Sequence, residues 1–438
     1  MKYALPIMGT VAAVALFALS TASQQARADD QPSYSDTFEQ LDLFADVMAR
    51  VRSDYVVEVE DGELIEDAIN GMLQALDPHS SYVNPESFRD LQVQTSGRYV
   101  GVGMEVTQED GYVKVVAPID GSPAAEAGIK SGDYITEIDG VTVLGLSLTE
   151  AVNTIRGEAG ESVTLTIARI DEEPRDVTLV RREVNREVVS HEIKDGIPYI
   201  RISQFNEKAA SGLESAIEEL RAAMDGDLPG LVLDLRTNPG GLLDQSIKVS
   251  SVFLDGGEVV STRGRDGVDI ESYEAEAGQL LEDVPLVVLI DEASASASEI
   301  VAGAVQDRGR GLVVGMTSFG KGSVQSLIPL RGGRDGALRL TTQRYYTPAG
   351  RSIQGTGIDP DLYISAIPDD GEDHTRLSES DLPNYIENEN GDSETDEIDI
   401  AIDYPDAEFD VQDDYQLQRA IEIIKSGNYQ QRLAELQN

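Results

Sequence analysis

The 438-residue sequence predicts a multidomain α/β protein, and three observations carry that expectation. From about residue 197 to 364, short apolar runs alternate with amphipathic segments, which is the pattern of crossover units around a mainly parallel sheet. Between residues 87 and 182 the texture changes to short strands punctuated by glycine, as expected of a separate β domain. Ahead of both, Phe38, Leu41, Phe44, Ala45, Met48, Val51 and Tyr55 recur at helical intervals, so an N-terminal helical region precedes the sheets. The expected division is residues 1–28, 29–86, 87–182, 183–365, 366–414 and 415–438.

Composition narrows the chemistry before any motif is read. The chain has no Cys, which removes disulfides, thiol nucleophiles and cysteine metal sites. Its three histidines, His79, His191 and His374, are too few for a histidine-rich zinc centre. With 34 basic against 80 acidic residues the net charge is −46, which repels polyphosphate and disfavours nucleic acid as a partner.

Lys2, an apolar stretch over about residues 3–19, polar residues 20–25 and then Ala26-Arg27-Ala28 read as an export signal cleaved after Ala28. The alternative is an uncleaved membrane anchor, for which the stretch is short. No Cys follows it, so it is not a lipoprotein anchor. A second amphipathic piece over residues 63–76 stops at Asp77-Pro78; the apolar faces of these helices are expected to pack within the chain, self-association being the other use.

In the glycine-punctuated region, Gly101-Val102-Gly103-Met104 presents backbone N–H groups at a turn leading into a strand, suited to a chain-terminal carboxylate. It is followed by Gly121-Ser122-Pro123-Ala124-Ala125, by Gly132-Asp133-Tyr134-Ile135-Thr136-Glu137-Ile138-Asp139-Gly140, and by a helix-like stretch over residues 147–156. That succession resembles a PDZ domain, which adds a peptide as an extra strand and catches its terminal carboxylate in the glycine loop. A small β domain with incidental glycines is the plainer reading.

In the alternating region, residues 231–235 and 284–290 are buried-strand candidates, and ligand sites in such sheets gather beyond the carboxyl ends of the strands. The second run empties into Asp291-Glu292-Ala293-Ser294-Ala295-Ser296-Ala297-Ser298-Glu299 at a strand-to-helix turn, where a hydroxyl meets helix N-terminal dipoles. Ser296 with Glu299 also fits a capping box, and spacing does not choose among Ser294, Ser296 and Ser298. Arg236-Thr237-Asn238-Pro239-Gly240-Gly241 follows the first run; an N–H of Gly240 or Gly241 with that of Ala297 would suit an oxyanion, although an ordinary turn uses similar glycines. Lys321, Ser323 and Gln325 lie at even spacing, so in an extended segment they share a face and Gln325 would orient the Lys321 amine.

Assembled in order, Leu76-Asp77-Pro78-His79-Ser80-Ser81-Tyr82, the PDZ-like stretch, Asp234-Leu235-Arg236-Thr237-Asn238-Pro239-Gly240-Gly241, residues 294–299 and Phe319-Gly320-Lys321-Gly322-Ser323-Val324-Gln325 resemble the C-terminal processing peptidases, or tail-specific proteases, of the Ser/Lys class. The resemblance spans about residues 38–362 and implies a crotonase/Clp-protease-like α/β core with an inserted PDZ domain. It places the nucleophile on Ser296, the base on Lys321 and the lysine-orienting residue on Gln325. It further implies an exported, periplasmic serine endopeptidase acting on envelope proteins with accessible C-termini, without metal or organic cofactor. A lipoprotein adaptor and a homo-oligomer are the partners to consider. A Ser-His-Asp triad through His79 or His191 competes weakly, since His79 belongs to the Asp77-Pro78 motif and His191 to a charged connector. A silent PDZ scaffold that binds C-termini without cutting, and a crotonase-like acyl-CoA enzyme, are the readings from other classes. From residue 369 to 414 Asp and Glu dominate, which predicts a solvated, largely disordered linker before a final helix over residues 415–436.

Overall fold

The computed structural model describes residues 34–436 except 110, 120, 170–171, 186, 268–269, 370, 372–376, 390–400, 411–412 and 428. The expected export signal lies outside the described residues, as does His374. The chain divides into two compact units, Met1–Met72 and Leu73–Asn438.

The first unit contributes the helix Tyr34–Asp54 and most of the helix Asp61–Gln74, with ion pairs Arg50–Asp54 and Arg52–Asp61. The expected helical periodicity is realised, but its apolar face is not covered: Phe38 is 62% and Leu41 56% exposed. Two helices alone cannot enclose a stripe of this width, because a core needs a second layer on it.

In the second unit a six-stranded sheet runs in the order Val189–Lys194, Ile197–Ile202, Leu231–Asp234, Leu286–Ile290, Leu312–Gly315, Leu362–Tyr363. Its first pair is antiparallel and the rest parallel. The three central strands are buried at every residue, which is why they read as unbroken apolar runs: both faces are covered. Leu233, Val288 and Ile290 face the helices Ala209–Ala223, Leu243–Phe253 and Ala297–Asp307. Val232, Val287 and Leu289 face the opposite way, toward Leu417, Ile421 and Ile424 of the C-terminal helix Tyr415–Lys425. Burying each such side chain stabilises the fold by about 2 kcal/mol.

A second sheet holds Ser81–Val83, Ala337–Tyr346, Glu258–Arg263 and Ile270–Glu274, with Ser323–Pro329 paired to Ala337–Tyr346. The segment from residue 316 to 322 therefore bridges the two sheets.

The glycine-rich region forms its own sheet of Met104–Glu109, Tyr112–Pro118, Tyr134–Ile138, Ser162–Ala168 and Arg175–Val180, with Val115, Ile135, Val163 and Leu165 at its core. It is joined to the rest by a two-stranded stem in which Arg98–Gly101 pairs antiparallel with Arg182–Asn185. The helix Leu148–Ile155 covers its core and opens with a complete Ser147/Glu150 capping box.

The acidic stretch after residue 365 departs from the expected solvated linker at particular residues, while most of its described residues are exposed. Glu379 and Asn388 are buried, and Asp403 exchanges backbone hydrogen bonds with Tyr363 and Ser365. Averaged composition predicted solvation; a few acids with specific buried partners dock the segment instead.

Candidate active site

The three serines after the Leu286–Ile290 strand part company once their hydroxyls are followed. Ser294 Oγ donates to Leu235 O at 2.9 Å and accepts from Asp291 N–H at 2.9 Å; Ser298 Oγ donates to Asn238 O at 2.9 Å. Both side chains are fully buried and committed to neighbouring backbone. Ser296 sits at the helix N-cap with φ 55° and ψ −112°, a conformation that costs a non-glycine residue of order 1–3 kcal/mol and marks an enforced geometry.

What enforces it is Glu299 and Gly240. The buried Glu299 carboxylate accepts from Ser296 N–H at 2.6 Å, the backward half of the expected capping box. It also accepts from Ser318 Oγ at 2.6 Å, Gly320 N–H at 2.6 Å and Lys321 N–H at 3.0 Å, so one side chain ties the serine turn to the lysine loop. Burial pushes its pKa up to about 7 against the pull of these four donors. Gly240 has φ 94°, and a Cβ there would lie 2.6 Å from Ala295 O and 2.8 Å from both Ala297 N and Ser296 Cβ. The glycine is what lets the two strand ends touch.

The expected oxyanion donors divide. Gly240 N–H donates to Asn238 Oδ1 at 2.9 Å, an engagement within its own turn. Among the described residues the N–H groups of Gly241 and Ala297 have no acceptor; Ala297 directly follows Ser296, and Gly241 follows Gly240, whose backbone packs against the Ser296 turn. Asn238 organises the junction: its Nδ2 donates to Ile202 O at 2.7 Å and its O accepts from Ala295 N–H at 3.0 Å.

Burial disfavours the charged form of Lys321 and lowers its pKa, against the opposite pull of Glu379, Glu299 and Asp77; Arg339 adds to the lowering. Among the described residues no hydrogen bond joins Lys321 Nζ to Ser296 Oγ. Gln325 does not hold the lysine either: its Nε2 donates to Ser323 Oγ at 2.9 Å and Thr341 Oγ1 at 3.2 Å. The regular strand begins only at Ser323, after the lysine, and a register shift falls between Val324 and Gln325, so the even spacing does not carry through. Thr341 Oγ1 donates onward to Asp77 Oδ1 at 3.0 Å. Burial pushes the Asp77 carboxyl up, but donors from Ser80, His79 and Thr341 hold it below the ordinary range. The two described histidines are engaged with acids, His79 Nε2 with Glu379 at 2.8 Å and His191 Nε2 with Glu219 at 3.3 Å. Among the described residues no group of three or more His, Asp or Glu could hold a metal ion.

In the β domain, Gly101, Val102, Gly103 and Met104 form the expected turn. Ser122 Oγ donates to Gly103 O at 2.7 Å, and a Cβ on Gly103 would lie 2.2 Å from Ser122 Cβ. Met104–Glu109 pairs with Tyr112–Pro118 on one side only, leaving an open sheet edge beside the loop.

Family models match this chain for peptidase family S41 over residues 196–364, for a PDZ domain over residues 114–169 and for the activating protease CtpB N-terminal domain over residues 6–87. A carboxy-terminal-processing protease of Bartonella bacilliformis is 47% identical over 395 residues, covering 89% of this chain and 89% of that protein. The chain belongs to the C-terminal processing peptidases of family S41. A probable CtpA-like serine protease of Staphylococcus haemolyticus is 36% identical over 319 residues, 72% of this chain but 63% of that relative. The solved photosystem II D1 C-terminal processing protease is 31% identical, with a TM-score of 0.43 over 72% of this chain and 85% of that one. The C-terminal processing peptidase described here is thus a serine-type peptidase with a PDZ domain on a mixed α/β core, for which peptides and proteins with accessible C-termini are the substrate class.

Proposed function

We propose that this peptidase is exported to the periplasm, where it cleaves envelope proteins through an acyl-enzyme with Ser296 as nucleophile and Lys321 as base. The observation that carries the reading is the Ser296 turn: Ser294 and Ser298 donate their hydroxyls to backbone carbonyls, whereas among the described residues Ser296 Oγ donates to none, and Glu299 ties that turn to the lysine loop. Ser296 Oγ attacks the scissile carbonyl carbon while its proton passes to neutral Lys321 Nζ. The Gly241 and Ala297 N–H groups take the resulting oxyanion, and collapse expels the amine with the proton returned from Lys321. Water then releases the acyl group by the same route. Gln325 joins the site only by turning its amide from Ser323 and Thr341 toward the lysine. The substrate tail adds to the open Met104–Glu109 edge with its carboxylate at residues 101–104. The apolar stretch before Ala26-Arg27-Ala28 supports export.

Ser296→Ala and Lys321→Ala should each lower cleavage of a denatured protein substrate about 10⁴-fold or more, with binding of a C-terminal peptide retained. Near-normal cleavage by either variant removes that residue from the mechanism.

A further inference from the structure

The acidic segment beyond the matched peptidase region returns a carboxylate to the lysine loop. Glu379 opens a short 3-10 turn, Glu379–Asp381, and its side chain is fully buried. Its backbone N–H donates to Phe319 O at 3.0 Å, two residues before Lys321. Its carboxylate meets His79 Nε2 at 2.8 and 2.9 Å and accepts from Gln354 Nε2 at 3.1 Å. Gln354 Oε1 in turn accepts from Gly322 N–H at 2.9 Å, one residue after the lysine. The loop is thus gripped on either side of Lys321 by one acid, while Glu299 holds its middle. Further along, Asn388 Nδ2 donates to Gln354 O at 3.0 Å and Glu389 pairs with Arg344, so the segment is strapped down at both ends.

From these contacts we infer that Glu379 is a positioning residue of the peptidase site, which fixes the lysine loop and, through its charge, sets how readily Lys321 gives up its proton. The charged groups facing Lys321 are Glu379, Glu299 and Asp77, which favour the ammonium, and Arg339, which opposes it. Those facing Glu379 are His79 and Lys321. An anion beside an amine stabilises the protonated form, and a base must be neutral to accept the serine proton. Removing the charge of Glu379 therefore lowers the pH at which Lys321 becomes competent. The inference rests on the reading of Lys321 as the base.

The test is the pH profile of kcat/KM on one denatured protein substrate for the wild type, Glu379→Gln, Glu379→Asp and Lys321→Ala. The acid limb of Glu379→Gln should move about one unit to lower pH, so that on that limb its activity relative to its own plateau rises up to about tenfold. Glu379→Asp keeps the charge and should stay nearer the wild-type limb. A lowered plateau with an unmoved limb in Glu379→Gln means packing alone and overturns the inference. If near-UV circular dichroism shows that Glu379→Gln has lost its fold, Glu379→Ala removes the same charge, leaves room for water and is read by the same limb. Active Lys321→Ala would sink the base assignment itself; inactive Lys321→Ala with an unmoved limb in the Glu379 variant sinks only this inference.

Discussion

At Gly240 the backbone has no room for even a methyl group. Its φ of 94° is strained for any L side chain, and the atoms a Cβ would strike are Ala295 O, Ala297 N and Ser296 Cβ, the turn that carries the proposed nucleophile. Backbone cannot yield as a flexible side-chain end does, so Gly240→Ala must push the Ser296 turn away from its partners. A misplacement on the order of 1 Å costs about 10²-fold in rate, so kcat should fall by about that factor while a C-terminal peptide binds as before. A wild-type kcat in Gly240→Ala would show that this contact does not position the serine. The glycine pair was visible in the sequence, but its close approach was not, because the partners lie more than 50 residues away. The same holds for the serines: the Ser294 and Ser298 hydroxyls are held by Leu235 O and Asn238 O, each about 60 residues off, and no local spacing records that.

At the level of elements, the helix Ala297–Asp307 owes its start to Glu299, and the same side chain clamps the loop that follows the next strand. The i,i+3 capping pattern was legible; the contacts with Ser318, Gly320 and Lys321 were not, being made across two elements. The buried parallel strands were legible because two-sided burial leaves an unbroken apolar run, whereas the register shift at Gln325 leaves no mark in composition. Glu299 also carries a pH signature. Its folded value of about 7 lies above its ordinary 4.5, so the native state holds this proton more tightly than the unfolded chain. Its contribution to stability is full below the ordinary value and is lost as pH rises through about 7. Between about pH 5.5 and 8 the wild type should therefore lose about 2 kcal/mol relative to Glu299→Gln, read from urea midpoints. A constant difference would mean that Glu299 titrates as an ordinary carboxyl. Glu299→Gln should also lower kcat, since one amide oxygen cannot serve four donors.

Across the whole molecule, domain order was readable because each part has its own texture, periodic helices, glycine-punctuated strands and alternating crossovers. The docking of residues 377–389 was not, because a single buried acid, Glu379, vanishes in an acidic average. How the PDZ domain is attached leads to the last prediction. It enters and leaves through one antiparallel stem in which Arg98 stands opposite Asn185, so the chain ends of the insertion are neighbours. Its core, built on Val115, Ile135 and Leu165, is separate from the clusters that cover the peptidase sheet. Replacing the insertion by a short glycine linker across that stem should therefore leave a folded peptidase whose Ser296 still reacts with a serine-directed acylating reagent. The open Met104–Glu109 edge and the loop at residues 101–104 would be gone, and with them the means of gripping a substrate tail. Cleavage of a denatured substrate by the full chain should slow when the substrate's hydrophobic C-terminal residues are removed, whereas the shortened enzyme should cut both substrates at one rate. If the shortened enzyme still discriminates between them, tail recognition resides in the peptidase core and not in the PDZ domain.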